Sequence, residues 1–89
     1  MRPRFRNIRY RELEALVAAQ AARLEEAGAG SGTCVACVLP NGPELVITIF
    51  AAAATRSVLL PLSPRLKDSE LRRSLTDTRP RVVVTGRGQ

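Results

Sequence analysis

The 89-residue sequence contains no histidine and no tryptophan, and only one tyrosine, two phenylalanines and one methionine. Without histidine it lacks the side chain that most readily exchanges protons near neutral pH, so Ser-His-Asp and Cys-His catalysis are excluded. Aromatics make up 3% of the chain, too few to offer the stacking platforms of single-strand nucleic-acid binding. The two cysteines cannot build a disulfide framework, and no second pair and no histidine exists to complete a four-ligand zinc site. No apolar run approaches the ~18–20 residues of a membrane span. The longest, Leu45 to Ala54, has the length of a buried helix. Glu12 and Glu14 interrupt what would be the apolar core of a leader after a basic start, which predicts a cytoplasmic chain. Neither a GxSxG elbow nor a GK[ST] phosphate loop is present.

What the chain does have is small aliphatic residues: 45% is hydrophobic, mostly Ala, Val and Leu, and 25% is charged. That balance is globular. A chain this short is one small domain or a part of a larger one, and it buries only about 60–65% of its unfolded surface. Fourteen Lys and Arg against eight Asp and Glu leave a net charge of +6. Arg2, Arg4, Arg6, Arg9 and Arg11 crowd the start and the other basic residues are scattered. This predicts a solvated basic arm over residues 1–9 rather than a nucleic-acid surface.

Strand-like and helix-like segments alternate. Phe5–Tyr10 alternates as a short strand would. Leu13, Leu16, Val17, Ala21, Leu24 and Ala27 fall three and four apart, which predicts a helix over Glu12–Ala27 with those residues inward. Gly28 stops it. Thr33–Leu39 is an apolar run of strand length, as for a strand covered on both faces. Pro40-Asn41-Gly42-Pro43 breaks it, and Pro43 suits the first turn of a helix over Glu44–Ala54 that is apolar all round. Ser57–Leu60 predicts a second buried strand ended by Pro61. Asp68 or Ser69 caps a third helix with Leu71 and Leu75 inward and Arg72 and Arg73 outward. Pro80 ends that helix, Arg81–Thr85 is a third strand, and residues 86–89 form a tail. The order predicts an α/β fold: a parallel sheet of three core strands with right-handed crossover helices, over residues 10–85. An average sheet has ~5–6 strands, so this one reads as part of a larger sheet.

Cys34 and Cys37 have CxxC spacing, but residues three apart on a strand face opposite sides, so their sulfurs do not converge. They read as core cysteines. Gly28-Ala29-Gly30-Ser31-Gly32 is glycine-rich, yet it runs from helix to strand, the reverse of a phosphate cradle, and reads as a connector. Gly86-Arg87-Gly88 follows a strand with no helix after it. Asp68, Glu70 and Asp77 read as a solvated face or cap on the third helix.

Taken in order, several segments resemble adenylate-forming enzymes of the acyl-CoA synthetase type. Tyr10-Arg11-Glu12-Leu13 is similar to the "TYREL" start of that family's first helix. Val38-Leu39-Pro40-Asn41-Gly42-Pro43-Glu44-Leu45-Val46 resembles "LLPNSPEFV", Pro61-Leu62-Ser63-Pro64-Arg65-Leu66 resembles "PLNPRL", and Val82-Val83-Val84-Thr85 resembles "VVVT". Each motif is weak alone; their collinearity from Ile8 to Thr85 is specific. The chain departs from the pattern at Gly32-Thr33-Cys34-Val35, where the family has "GDRV". It departs again at Arg56, which replaces the glycine of "AGAVVVPL" as in one branch resembling oxalate–CoA ligases. Arg9 replaces a threonine.

The resemblance implies part of the large domain of an ATP-dependent carboxylate–CoA ligase, with ATP, Mg and CoA used by the parent enzyme. The alternative is an adenylation domain of a peptide synthetase. Its phosphate loop, adenine motifs and catalytic lysine lie outside these matches, so it assigns this chain no catalytic, cofactor-binding or metal-binding residue. The expected partner is the remainder of a synthetase domain, with no membrane and no nucleic acid. The reading of a different class is a small basic α/β binding module for nucleic acid or an acidic partner.

Overall fold

The computed structural model describes residues 10–86. The expected basic arm over 1–9, most of the expected strand over Phe5–Tyr10, and tail residues 87–89 lie outside the described residues; Tyr10 itself is the first residue of a helix. The elements are α1 (Tyr10–Glu26), β1 (Cys34–Val38), α2 (Pro43–Ala54), β2 (Val58–Leu62), α3 (Asp68–Thr78) and β3 (Val82–Thr85).

The three strands form one parallel sheet in the order β2-β1-β3. The apolar run of β1 takes the centre because only the middle strand is flanked on both sides. Val35, Ala36 and Cys37 are accordingly buried. Register aligns Val35 with Leu59 on one side and with Val82 on the other. These three belong to one sheet face, on which Leu24 of α1 and Ala51 of α2 close the core. From β1 to β2 the chain steps one way across the sheet and from β2 to β3 it steps back past β1, so the right-handed crossover rule assigns α2 and α3 to opposite faces.

Gly28 ends α1 at a φ of +113°, a conformation L side chains rarely adopt. The Gly28 N–H donates to the Glu25 carbonyl (3.0 Å) and the Ala29 N–H to the Leu24 carbonyl (2.8 Å), satisfying the last turn. A β-carbon at Gly28 would sit 3.2 Å from Cγ and Cδ of Arg81, whose stem crosses the connector.

Four expectations need correction. Leu16 of α1 and Ala27, just past its end, are exposed although their spacing placed them inward; the half-buried Leu13, Val17 and Ala21 and the buried Leu24 form the inward stripe. Helix α2 is not buried all round. Thr48, Ala51 and Ala52 face the protein, whereas Val46, Ile49 and Phe50 are 44%, 43% and 52% exposed. Small residues let the α2 backbone approach the sheet, and one three-stranded layer with one neighbouring helix has no material to cover the far side. The buried Thr48 hydroxyl is satisfied by Gln20, whose Nε2 donates to it at 3.2 Å.

Strand β2 does not stop at Pro61 but runs through it to Leu62, with Pro61 in register with Cys37. An outer strand tolerates proline because its N–H is not needed on the side that faces no neighbour. Finally, α3 is capped neither by Asp68 nor by Ser69. Its N-cap is Lys67, whose backbone N–H donates to Glu70 Oε1 at 3.0 Å, so the carboxylate reaches back from the first turn. Leu71 and Leu75 are half-buried, Arg72 and Arg73 exposed, and no residue of α3 is buried.

Where β1 and β2 begin, three hydroxyls knit the connectors together. Thr55 Oγ1 lies 2.7 Å from Ser57 Oγ and donates to the Ala52 carbonyl (3.0 Å). Ser57 Oγ donates to the Gly30 carbonyl (3.3 Å), which also accepts from Thr33 Oγ1 (2.8 Å). The Gly30 N–H donates back to Thr33 Oγ1 (2.8 Å).

Candidate functional site

At the other end of the sheet the strands stop together, since Val38 pairs with Leu62. The chain then leaves β1 through Leu39-Pro40-Asn41-Gly42 and β2 through Ser63-Pro64-Arg65. Prolines stiffen both exits and hold them apart. Between them lies an open cavity of about 550 Å³. Leu39, Leu45 and Leu62 give it an apolar floor, and Asn41, Ser63 and Arg65 stand at its walls. This is where open parallel sheets take ligands, beyond the carboxyl ends of their strands.

The groups on offer are few. Cys37 lines the cavity but is 1% exposed, and burial pushes its thiol above the usual value of 9.0. It therefore stays protonated at neutral pH and is a packing group rather than a nucleophile. Ser63 Oγ accepts the Arg65 N–H at 3.1 Å, and the Ser63 carbonyl accepts the Leu66 N–H at 3.2 Å, so Ser63 spends its polarity on the turn. Among the described residues, Arg65 is the one charged residue lining the cavity.

A nucleotide triphosphate does not fit these residues. Helix α2 does follow a strand in the order a phosphate site requires, but its first residue is Pro43, with no N–H, and Glu44 places a carboxylate in the first turn. Helix α3 likewise carries Asp68 and Glu70 in its first turn. Glu70 reaches back to the start of α3, and Glu44 adds a negative charge to the first turn of α2. The geometry thus supplies a wall and a floor, with one cation and no base.

The residues weighed in the sequence are dispersed. Cys34 is half-buried and Cys37 buried, on alternate faces of β1 as their spacing requires. No cluster of three potential metal ligands occurs among the described residues. Residues Gly28–Gly32 are a connector. Glu70 serves a cap, and Asp68 and Asp77 are exposed. Arg65 and Asn41 were not singled out as site residues; their position just after strand ends, between prolines, was the available signal. A smaller hollow of about 160 Å³ lies between α1 and α2, beside Gln20, Arg23 and Glu44. Among the described residues no helix is long and apolar enough to cross a membrane.

Comparison with known proteins agrees with this geometry. The AMP-binding enzyme family matches residues 3–89. Indoleacetate–CoA ligase of Aromatoleum aromaticum is 36% identical over 78 residues, which is 88% of this chain and 15% of the ligase. Enterobactin synthase component F of Escherichia coli is 34% identical over 76 residues, covering 85% of this chain and 6% of that protein. Among solved structures, MatB of Rhodopseudomonas palustris superposes with a TM-score of 0.83 at 30% identity, over 90% of this chain and 16% of MatB. The N-terminal domain of FACL13 from Mycobacterium tuberculosis gives 0.81 at 31% identity, over 88% of this chain and 20% of that domain. The chain thus spans 15% or less of the length of these curated relatives.

Proposed function

This chain belongs to the AMP-binding enzyme family, and on that premise we propose that it is scaffold from an ATP-dependent carboxylate–CoA ligase. In this reading the parent forms an acyl-adenylate and passes the acyl group to the thiol of CoA, with ATP and Mg bound by other parts of the domain. The partner of this chain is that remainder, in the cytoplasm, with no role for a membrane or for nucleic acid. The chain contributes three strands, the helices that brace them, and one wall of a cleft.

The observation that carries the scaffold reading is the make-up of the cavity: one guanidinium, a thiol kept neutral by burial, and helix N-termini already supplied with carboxylates. Charge stabilisation at a reacting phosphate needs preorganised donors or cations that this wall does not provide. Both β2 and β3 are outer strands, so the sheet can accept neighbours on either side. The choice of a CoA ligase over a peptide-synthetase adenylation domain leans on the 36% identity to a ligase named for CoA, on acyl-CoA synthetase neighbours, and on Arg56.

Isothermal titration of the 89-residue chain with ATP tests the scaffold claim; no heat of binding at micromolar concentrations is expected, and micromolar affinity would contradict it. Replacing the matching segment of the Aromatoleum ligase with residues 10–85 tests the parentage. Retained ATP-dependent thioester formation supports the CoA-ligase reading. A chimera that folds and makes adenylate but no thioester favours the peptide-synthetase alternative.

A further inference from the structure

We propose that Asn41–Gly42 is a site of spontaneous deamidation, at which the native loop between β1 and α2 converts through a succinimide to aspartate and isoaspartate. The sequence supplies the reacting pair: an asparagine followed by glycine, the residue with no β-carbon to obstruct ring closure.

The fold leaves the pair open. Asn41 is exposed at the cavity mouth, its carboxamide holding no hydrogen bond among the described residues. Among the described residues the Gly42 N–H has no acceptor, while the Gly42 carbonyl accepts the Val46 N–H at 3.2 Å. A β-carbon built on Gly42 would meet nothing within 4 Å, so the space beside the Gly42 backbone is open among the described residues. Gly42 sits at φ +155°, off the ground that other residues favour. Pro40 and Pro43 stiffen the two flanks but leave ψ and χ1 of Asn41 free, and those are the torsions that bring Gly42 N to Asn41 Cγ.

The chemistry needs only water. Base removes the proton from Gly42 N, and the nitrogen attacks Asn41 Cγ. The Cγ–Nδ2 bond breaks and Nδ2 leaves as ammonia after taking a proton from water. Water then opens the ring at Cγ, leaving isopeptide-free aspartate, or at the main-chain carbonyl of residue 41, leaving isoaspartate. The net change is amide plus water to carboxylic acid plus ammonia. It lowers the net charge of +6 by one and sets an anion on the cavity wall opposite Arg65.

The test is a time course of the folded chain in mildly alkaline buffer, read by peptide mass spectrometry, beside a free peptide spanning residues 39–44. The expected result is conversion at Asn41 within about tenfold of the peptide rate, a barrier difference of no more than ~1.4 kcal/mol. Conversion should quicken with pH, and hydroxylamine should cleave the chain after Asn41. Asn7, which precedes the β-branched Ile8, should keep its amide. Asn41→Gln removes the reaction, and Gly42→Ala slows it by about tenfold. Circular dichroism before and after the time course verifies that the helices persist. A folded chain whose Asn41 amide survives while the peptide converts overturns the proposal, as does a rate unchanged in Gly42→Ala.

Discussion

The two ends of the sheet are built differently. Where the strands begin, Thr33, Thr55 and Ser57 tie two connectors together through short hydroxyl contacts, and Leu24 and Ala29 are buried nearby in the chain's core. Where the strands end, a cavity of about 550 Å³ separates proline-stiffened exits whose polar groups bond only to their own turn or to nothing. One end is closed by contacts within the protein and the other stands open. Functional ends of folds are often the less cohesive ones, since groups already paired within the protein cannot pair with a ligand.

The largest expected effect is at the closed end. Leu24 is 2% exposed, and Leu24→Ala should cost about 2–5 kcal/mol, enough to abolish a cooperative denaturant transition in so small a chain. Leu62→Ala, at the half-buried rim of the cavity, should cost clearly less. If the rim substitution proves the more damaging of the two in urea melts, the contrast between the ends is wrong.

Next in size is the hydroxyl cluster. Thr55→Val keeps the shape but strips Ser57 Oγ and the Ala52 carbonyl of a partner in a site where Thr55 is 6% exposed. A loss of about 1–2 kcal/mol is expected by chemical denaturation. A neutral outcome would mean that water replaces the hydroxyl and that this end is less closed than the contacts indicate.

Much of this layout was legible beforehand, and the exceptions share one cause. The β1 run of apolar residues without alternation announced a central strand, and the helix–strand alternation announced parallel pairing; both depend on local pattern alone. The misplacements at α2, Leu16, Pro61 and Lys67 all depend on what lies beside a residue. Val46, Ile49 and Phe50 look like core until the number of covering layers is known. Pro61 looks like a terminator until its strand is known to be outermost. The cavity was legible only as a place, through the rule about strand ends, because its polar residues carry no motif of their own.

Arg56 comes third. It adopts φ +60° directly after α2, in the position where the family pattern has glycine, so the sequence departure coincides with a left-handed backbone. A non-glycine residue there costs roughly 1–2 kcal/mol, partly offset because glycine gains more freedom in the unfolded chain. Arg56→Gly should therefore stabilise by up to about 1 kcal/mol. Arg56→Ala, which keeps the β-carbon, should not. Equal melting temperatures for the glycine and alanine variants would show that the backbone strain is absent.

The smallest effect is predicted at the open end, and there a small value is informative. Ser63 is exposed, and its hydroxyl accepts one hydrogen bond, from the Arg65 N–H, which water can satisfy once the hydroxyl is gone. Ser63→Ala should shift stability by no more than about 0.5 kcal/mol. The same substitution made within a full-length parent enzyme should cost more if Ser63 holds Arg65 toward a bound group, because the turn then sets the aim of the one cation on this wall. Measuring both separates a turn that merely ends a strand from one that positions Arg65. A loss of about 1 kcal/mol or more in this chain alone would place the cohesion of the sheet at both ends and remove the asymmetry.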